Sequence, residues 1–189
     1  MLVLALDAGI TSDCFAMVAV SRDPRYQADY HYNEETDEYT LRADERFIRR
    51  YAMAWKGSRE KPLQFYSNDP SEITPESELK RLISRYNIIQ ITFDPYQLLN
   101  FSNRLEDETG AWFDPFSQGG EREIGDKLLY DIIRKGGVAH DGTDTELRQH
   151  LMNAGAKSLN DDRKLRIIKL SDDAKVDLTV ALAMSIKRS

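Results

Sequence analysis

The chain has one cysteine, Cys14, in 189 residues, so no internal disulfide can form, and the single thiol fits a reducing compartment. With one Cys and three His it also lacks the ligands of a zinc ribbon. No apolar run approaches the ~20 residues that span a bilayer. The opening MLVLALDAG has no basic leader and meets Asp7 at once, so it reads as a first strand and not as a signal peptide. There is no internal repeat, no low-complexity linker and no G-x-x-x-x-G-K-[ST] phosphate loop. Positive charge is in deficit: the formal net charge is -6, which argues against a broadly basic nucleic-acid surface.

What is present is ordinary for a folded domain. Hydrophobic residues make up 41% and charged residues 31% of the sequence, and the length suits a single domain over 1–189 with a sizeable core. Charge is segregated along the chain. Residues 21–45 carry three Arg against eight acids, whereas 46–61 carry six basic residues against Glu60 alone. A local basic face is therefore possible despite the acidic total, although long Lys and Arg side chains also simply solvate a strand and its loop.

The apolar runs at 2–6 and 14–21 read as strands joined by a hairpin loop carrying Gly9. Residues 22–45 are polar and tyrosine-rich and read as an exposed loop or hairpin excursion. Residues 46–56 suit a third strand, with Phe47, Tyr51, Met53 and Trp55 on one face. Thr74-Pro75-Glu76-Ser77-Glu78 starts a helix that runs to Arg85. A strand follows at 88–93, a short helix at 96–108, a short strand at 111–116 and a helix at 121–135 stopped by Gly136-Gly137. A helix lies within 141–154, capped by Thr143 or Asp144, then a strand at 166–170 and a largely apolar helix over 173–187. Strands first, then helices and strands in alternation, predict an α/β domain: a mixed sheet flanked by helices.

Three aspartates occupy telling places. Asp7 ends the first strand, Asp94 ends IIQITF, and Asp177 interrupts the apolar final helix. Sites in open α/β sheets gather at strand ends. If the first strand neighbours 88–93, Asp7 and Asp94 share a cleft to which a helix packed across them adds Asp177. Converging carboxylates need cations, and hard oxygen donors suit Mg²⁺ or Mn²⁺. Two such ions ~4 Å apart serve phosphodiester hydrolysis. Each residue also has a plainer role: Asp7 starting a turn, Asp94 initiating one before Pro95, and Asp177 opposing a helix dipole. Asp172 or Asp173 is either the N-cap of the last helix or a fourth ligand.

The stretches LALDAGITSDCFAMVAVSR, IIQITFDPYQ, FSQGGEREIGDKLLYDIIRKGGVAHDG to LRQHLMNAGA, and KVDLTVALAMSIKR, in that order, resemble the nuclease domain of phage terminase large subunits, DNA-packaging motors of the ribonuclease H-like superfamily. The resemblance covers most of the chain apart from 22–75. It implies a ribonuclease H-like fold and a metal-dependent endonuclease that cuts concatemeric double-stranded viral DNA into genome lengths. It carries the acidic cluster onto Asp7, Asp94 and Asp177, with Asp173 as a further ligand, holding Mg²⁺ or Mn²⁺. It also implies partners: double-stranded DNA, the terminase ATPase domain, the small terminase subunit and the portal, in the host cytoplasm and away from membranes. The ATPase half that such subunits normally carry is not in this sequence, so the chain reads as an excised domain or a stand-alone nuclease that does not translocate DNA.

Asp7-Ala-Gly-Ile-Thr-Ser is similar, too, to the first phosphate loop of actin-like ATPases and sugar kinases. No second phosphate loop or glycine-rich adenosine motif accompanies it, so Asp7 reads as a metal ligand, with Gly9, Thr11 and Ser12 shaping its turn. Gln118 and Arg122 are candidates to meet the DNA backbone, Lys175 to meet the scissile phosphate, and His140 and His150 read as a turn residue and a structural one. Two other functions remain open: a junction-resolving nuclease of the same superfamily, and a non-catalytic docking module of the motor.

Overall fold

The computed structural model describes the chain except residues 9–13, 36, 42, 59 and 160–162, and the side chains at 31, 33, 40 and 41. The hairpin residues Gly9, Thr11 and Ser12 therefore lie outside the described residues. In chain order the elements are β1 (Leu2–Ala8), β2 (Cys14–Arg22), β3 (Tyr30–Asn33), β4 (Glu38–Leu41), β5 (Phe47–Lys56), α1 (Pro75–Arg85), β6 (Ile88–Phe93), α2 (Pro95–Thr109), β7 (Phe113–Pro115), α3 (Gly120–Arg134), β8 (Val138–Ala139), α4 (Thr145–Met152), β9 (Ala154–Ser158), β10 (Leu165–Lys169) and α5 (Asp177–Arg188). Six strands form one mixed sheet in the order β7-β6-β1-β2-β5-β8. β1 pairs antiparallel with β2 and parallel with β6, so the first strand and IIQITF are neighbours.

Central strands covered on both faces read as continuous apolar runs, and β1 and β2 do so. Leu4, Leu6, Phe15 and Met17 face α1 and α2, where they meet Leu79, Leu98 and Leu105. Ala5, Ala16, Val18 and Val20 face the other layer, against Leu129 of α3, Leu147 of α4 and Leu178 and Leu182 of α5. Each fully buried Leu or Phe contributes about 1.5–3 kcal/mol. α5 is buried from Asp177 to Ile186, a helix enclosed all round.

The grouping expected for β5 is corrected. Phe47 packs on the α5 side, while Tyr51 and Trp55 pack on the α1–α2 side. The reason is a β-bulge: Ala19 pairs with Tyr51 but the next residue, Val20, pairs with Arg49, leaving Arg50 as the extra residue. One additional residue reverses the facing of every side chain after it. The excursion at 22–45 contains the two-stranded hairpin β3–β4. Two elements were not foreseen: the two-residue β8, and β9, which pairs only with β10 in a separate hairpin.

Local chemistry sets the helix ends. Thr74 and Ser77 form a reciprocal capping box on α1, with Pro75 just inside. Asp144, not Thr143, caps α4. α3 stops at Gly136, whose φ of +69° suits a residue without a Cβ.

Candidate active site

The carboxyl ends of β1 and β6 lie side by side. Leu6 is opposite Phe93, and the Asp94 N–H donates to the Leu6 carbonyl at 3.2 Å. Asp94 is also the N-cap of α2: its Oδ1 accepts the Tyr96 N–H at 2.9 Å, with Pro95 at the first helical position. The turn-initiating role is therefore real, and it orients the carboxyl group at the strand end. Tyr96 itself projects into solvent, 87% exposed. Asp7 pairs across with Ala16 and shares its face, which is the α5 face of the sheet.

Asp177 is the first residue of α5 and only 6% exposed. Its charge stands at the positive end of the helix dipole, which stabilises it there. Asp7 and Asp94 thus occupy neighbouring strand ends, and Asp177 belongs to the helix that packs against β1 and β2. Among the described residues, no group of three His, Cys, Asp or Glu side chains is drawn together closely enough to hold a metal ion. The donor chemistry nevertheless fits a hard divalent cation: all three are carboxylates, and one, Asp177, is buried.

The capping role offered for Asp173 and Asp172 is corrected. α5 begins at Asp177 with Val176 as its N-cap, so neither caps the helix, and Asp173 sits in an exposed turn closed by the Ala174 N–H on the Ser171 carbonyl. The capping acceptor comes instead from another helix: His150 Nδ1, on α4, accepts the Leu178 N–H at 3.0 Å. His150 is buried, and desolvation holds its pKa below the usual imidazole value, which keeps Nδ1 free to accept. Its structural reading stands. No local sequence signal could have placed it 28 positions from the amide it caps.

Cys14, at the start of β2, registers the electrostatics of this edge. Burial pushes its thiol up to about 11, with Asp177 and Glu146 raising it further and Lys175 and Lys56 pulling it back. Glu146, in the first turn of α4, accepts the Ala54 N–H of β5, and burial raises its carboxyl above the usual range. Glu146 and Lys56 were not singled out from sequence. For Lys56 the signal was available: it continues the alternation of Ala52 and Ala54 by one more step toward Cys14.

Arg122 is not on a DNA-facing surface. It is buried, with Nε 2.7 Å from Asp126 Oδ1 and Nη1 donating to Gln118 Oε1 at 2.8 Å. Asp126 Oδ2 in turn accepts the Ile167 N–H at 2.9 Å, tying β10 to α3. The GEREIGDK pattern hid this because Arg122 and Asp126 fall one helical turn apart, a spacing that usually marks an exposed pair. Gln118 is half-buried and occupied by the same network. His140 is the expected turn residue, its Nδ1 accepting the Gly142 N–H. Lys175 is half-buried in the loop before α5. No helix among the described residues is long and apolar enough to cross a membrane.

No protein-family model matches this sequence, and no curated protein does. Solved structures do. The large terminase of bacteriophage HK97 superposes with a TM-score of 0.69 at 15% identity, the alignment covering 100% of this chain and 39% of that one. The large terminase nuclease from thermophilic phage G20c superposes with a TM-score of 0.58 at 12% identity, covering 100% of this chain and 82% of that one. The chain thus spans well under half of the HK97 protein and most of the G20c nuclease. With its strand order, flanking helices and carboxylate-bearing sheet edge on the page, the chain has the fold of a phage terminase nuclease domain, a ribonuclease H-like mixed sheet flanked by helices.

Proposed function

We propose that this chain is a metal-dependent endonuclease for double-stranded DNA, working as the nuclease part of a phage DNA-packaging motor in the host cytoplasm. The observation that supports the reading is the placing of Asp7 and Asp94 at the neighbouring ends of adjacent parallel strands, on a sheet packed by a buried helix whose first residue is Asp177. In this reading Asp7, Asp94 and Asp177 hold Mg²⁺ or Mn²⁺, with Asp173, in the turn before α5, as a further ligand. Bound there, two such ions supply a nucleophilic water at neutral pH and charge stabilisation for the leaving 3′ oxygen.

The protein's own part is positioning. The Tyr96 N–H and the Leu6 carbonyl fix the orientation of Asp94. The antiparallel pairing with β2 fixes Asp7. His150 fixes the first turn of α5 and with it Asp177. No side chain is needed as a general base, and phosphate contacts give little sequence preference. The partners that accompany such a nuclease are an ATPase motor domain, the small terminase subunit and the portal.

The test is cleavage of supercoiled plasmid in Mn²⁺, Mg²⁺ or EDTA by the wild type and by Asp7→Asn, Asp94→Asn and Asp177→Asn. Asparagine at 94 keeps the capping oxygen, so fold and site are separable there. Metal-dependent nicking and linearisation, lost in all three folded variants, supports the assignment. Folded wild-type protein that leaves plasmid intact in both metals refutes it in favour of a docking module.

A further inference from the structure

β5 carries Arg49, Arg50 and Lys56 of the basic run of this acidic chain, with Arg46 just before it, and these cations have distinct fates. Arg46 pairs with Asp23 at 3.0 Å. Arg49 is held by Asp141 at 2.5 Å and Asp144 at 3.7 Å. Arg50 donates to Ser21 Oγ at 3.0 Å. Lys56 differs: it is exposed, and among the described residues its side chain has neither an ion pair nor a side-chain hydrogen bond, in a sequence with 32 Asp and Glu. An exposed lysine with no ion pair among the described residues has its charge available to something else.

Its position says what. After the bulge, residues 52, 54 and 56 of β5 face the α5 side, level with Val18, Ala16 and Cys14 of β2. Asp7 stands in the Ala16–Ala54 row, one strand further on. Lys56 is therefore two strand spacings across and two residues along from Asp7, a Cα separation of about 12 Å. Its partner across the strands is Cys14, whose thiol also lies in the field of Asp177. The separation from Asp7 is too great to serve the bond being cut and small enough to reach the backbone beside it.

We infer that Lys56 is a phosphate-binding residue: it contacts the DNA backbone phosphate flanking the scissile one and so positions the strand over the carboxylates. The inference rests on the nuclease reading above and adds a substrate contact to it. A single lysine–phosphate contact releases one condensed counterion, so its loss lowers the slope of log K against log salt by about 0.9. At 0.1 M salt that is about an eightfold loss of affinity.

The experiment uses a 30-base-pair duplex. Binding to wild type, Lys56→Ala, Lys56→Arg and Lys80→Ala is titrated across salt concentrations in Ca²⁺, and steady-state cleavage is followed in Mn²⁺. Lys80 lies on α1 in a network with Glu76 and Glu108 and controls for charge alone. The expected result is a salt slope reduced by about one and a KM raised about eightfold in Lys56→Ala, with kcat retained, near-complete rescue by Lys56→Arg, and no change in Lys80→Ala. If wild type binds and cleaves but Lys56→Ala matches it, the contact is wrong and the nuclease reading stands. If wild type neither binds nor cleaves, both fall. If Lys80→Ala shifts the slope equally, the effect is net charge and the assignment to Lys56 is overturned.

Discussion

Replacing Arg122 with Met gives a test of the physics that locks the β9–β10 hairpin to the body. Arg122 is 6% exposed and Asp126 is 0% exposed, so this ion pair is shielded from solvent and salt. Burial already holds the Asp126 carboxyl above its usual range, with Arg122 the strongest opposing influence. Methionine preserves most of the arginine stem's volume and removes that opposition. An orphaned buried charge costs about 3–5 kcal/mol, unless the carboxyl escapes by taking a proton. A carboxyl whose folded pKa is raised stabilises the native state below its unfolded pKa and loses that contribution as pH rises through the folded value. Both proteins therefore lose stability from Asp126 as pH rises above about 3.8, and the variant loses more and over a wider range. The cost of Arg122→Met should be smallest at acid pH and rise to about 3 kcal/mol at pH 8. Urea unfolding of both proteins at half-unit pH steps reads this directly. Hydrogen exchange at the Ile167 amide, which Asp126 accepts, should quicken more than exchange in β1 or β2. A cost that is flat with pH, or an Ile167 amide as protected as before, would refute the reasoning.

Two further outcomes follow from other parts of the molecule. Gly137→Ala would drive a Cβ to 2.7 Å from Ala43 Cβ and Ile132 Cγ2 and 2.9 Å from the Glu45 carbonyl oxygen, where backbone cannot yield cheaply. About 2 kcal/mol should be lost, seen as a melting temperature lower by about 4–8 °C. Divalent metal should raise the wild-type melting temperature, by the equivalent of about 2.7 kcal/mol at a hundredfold excess over Kd, whereas Asp177→Asn should gain little from Mn²⁺. A variant that gains as much from metal as wild type would remove Asp177 from the ligand set.

The architecture was legible where local chemistry and burial agree. Continuous apolar runs placed β1, β2 and β6, and Thr74-Pro75 and Gly136 set helix limits without tertiary help. Strand ends placed Asp7 and Asp94; that the two strands are neighbours was a condition, which the parallel pairing of β1 with β6 meets. What was hidden depends on contacts between distant segments. β9 reads Ala-Gly-Ala-Lys-Ser, with no apolar alternation, and is a strand because β10 pairs with it. The start of α5 was misplaced because its cap is a histidine on α4 and not a nearby aspartate. Arg122 looked like a surface charge because nothing in eight residues announces that Ile167 will close over it. Candidate ligands are named by type and position; residues that hold them in place are found only by the fold.

The extra residue at Arg50 has a consequence for how this chain can change. Before it, odd-numbered positions of β5 serve the layer containing α5; after it, even-numbered positions do. The bulge acts as a phase shifter between two halves of one strand, and its output depends on residue count and hardly at all on which side chain stands there. Removing or adding one residue here would deliver Tyr51 and Trp55 to the wrong layer and turn Lys56 away from Asp177, with every amino acid in the strand otherwise intact. Substitution at position 50 should be cheap, and a change of length there should be ruinous.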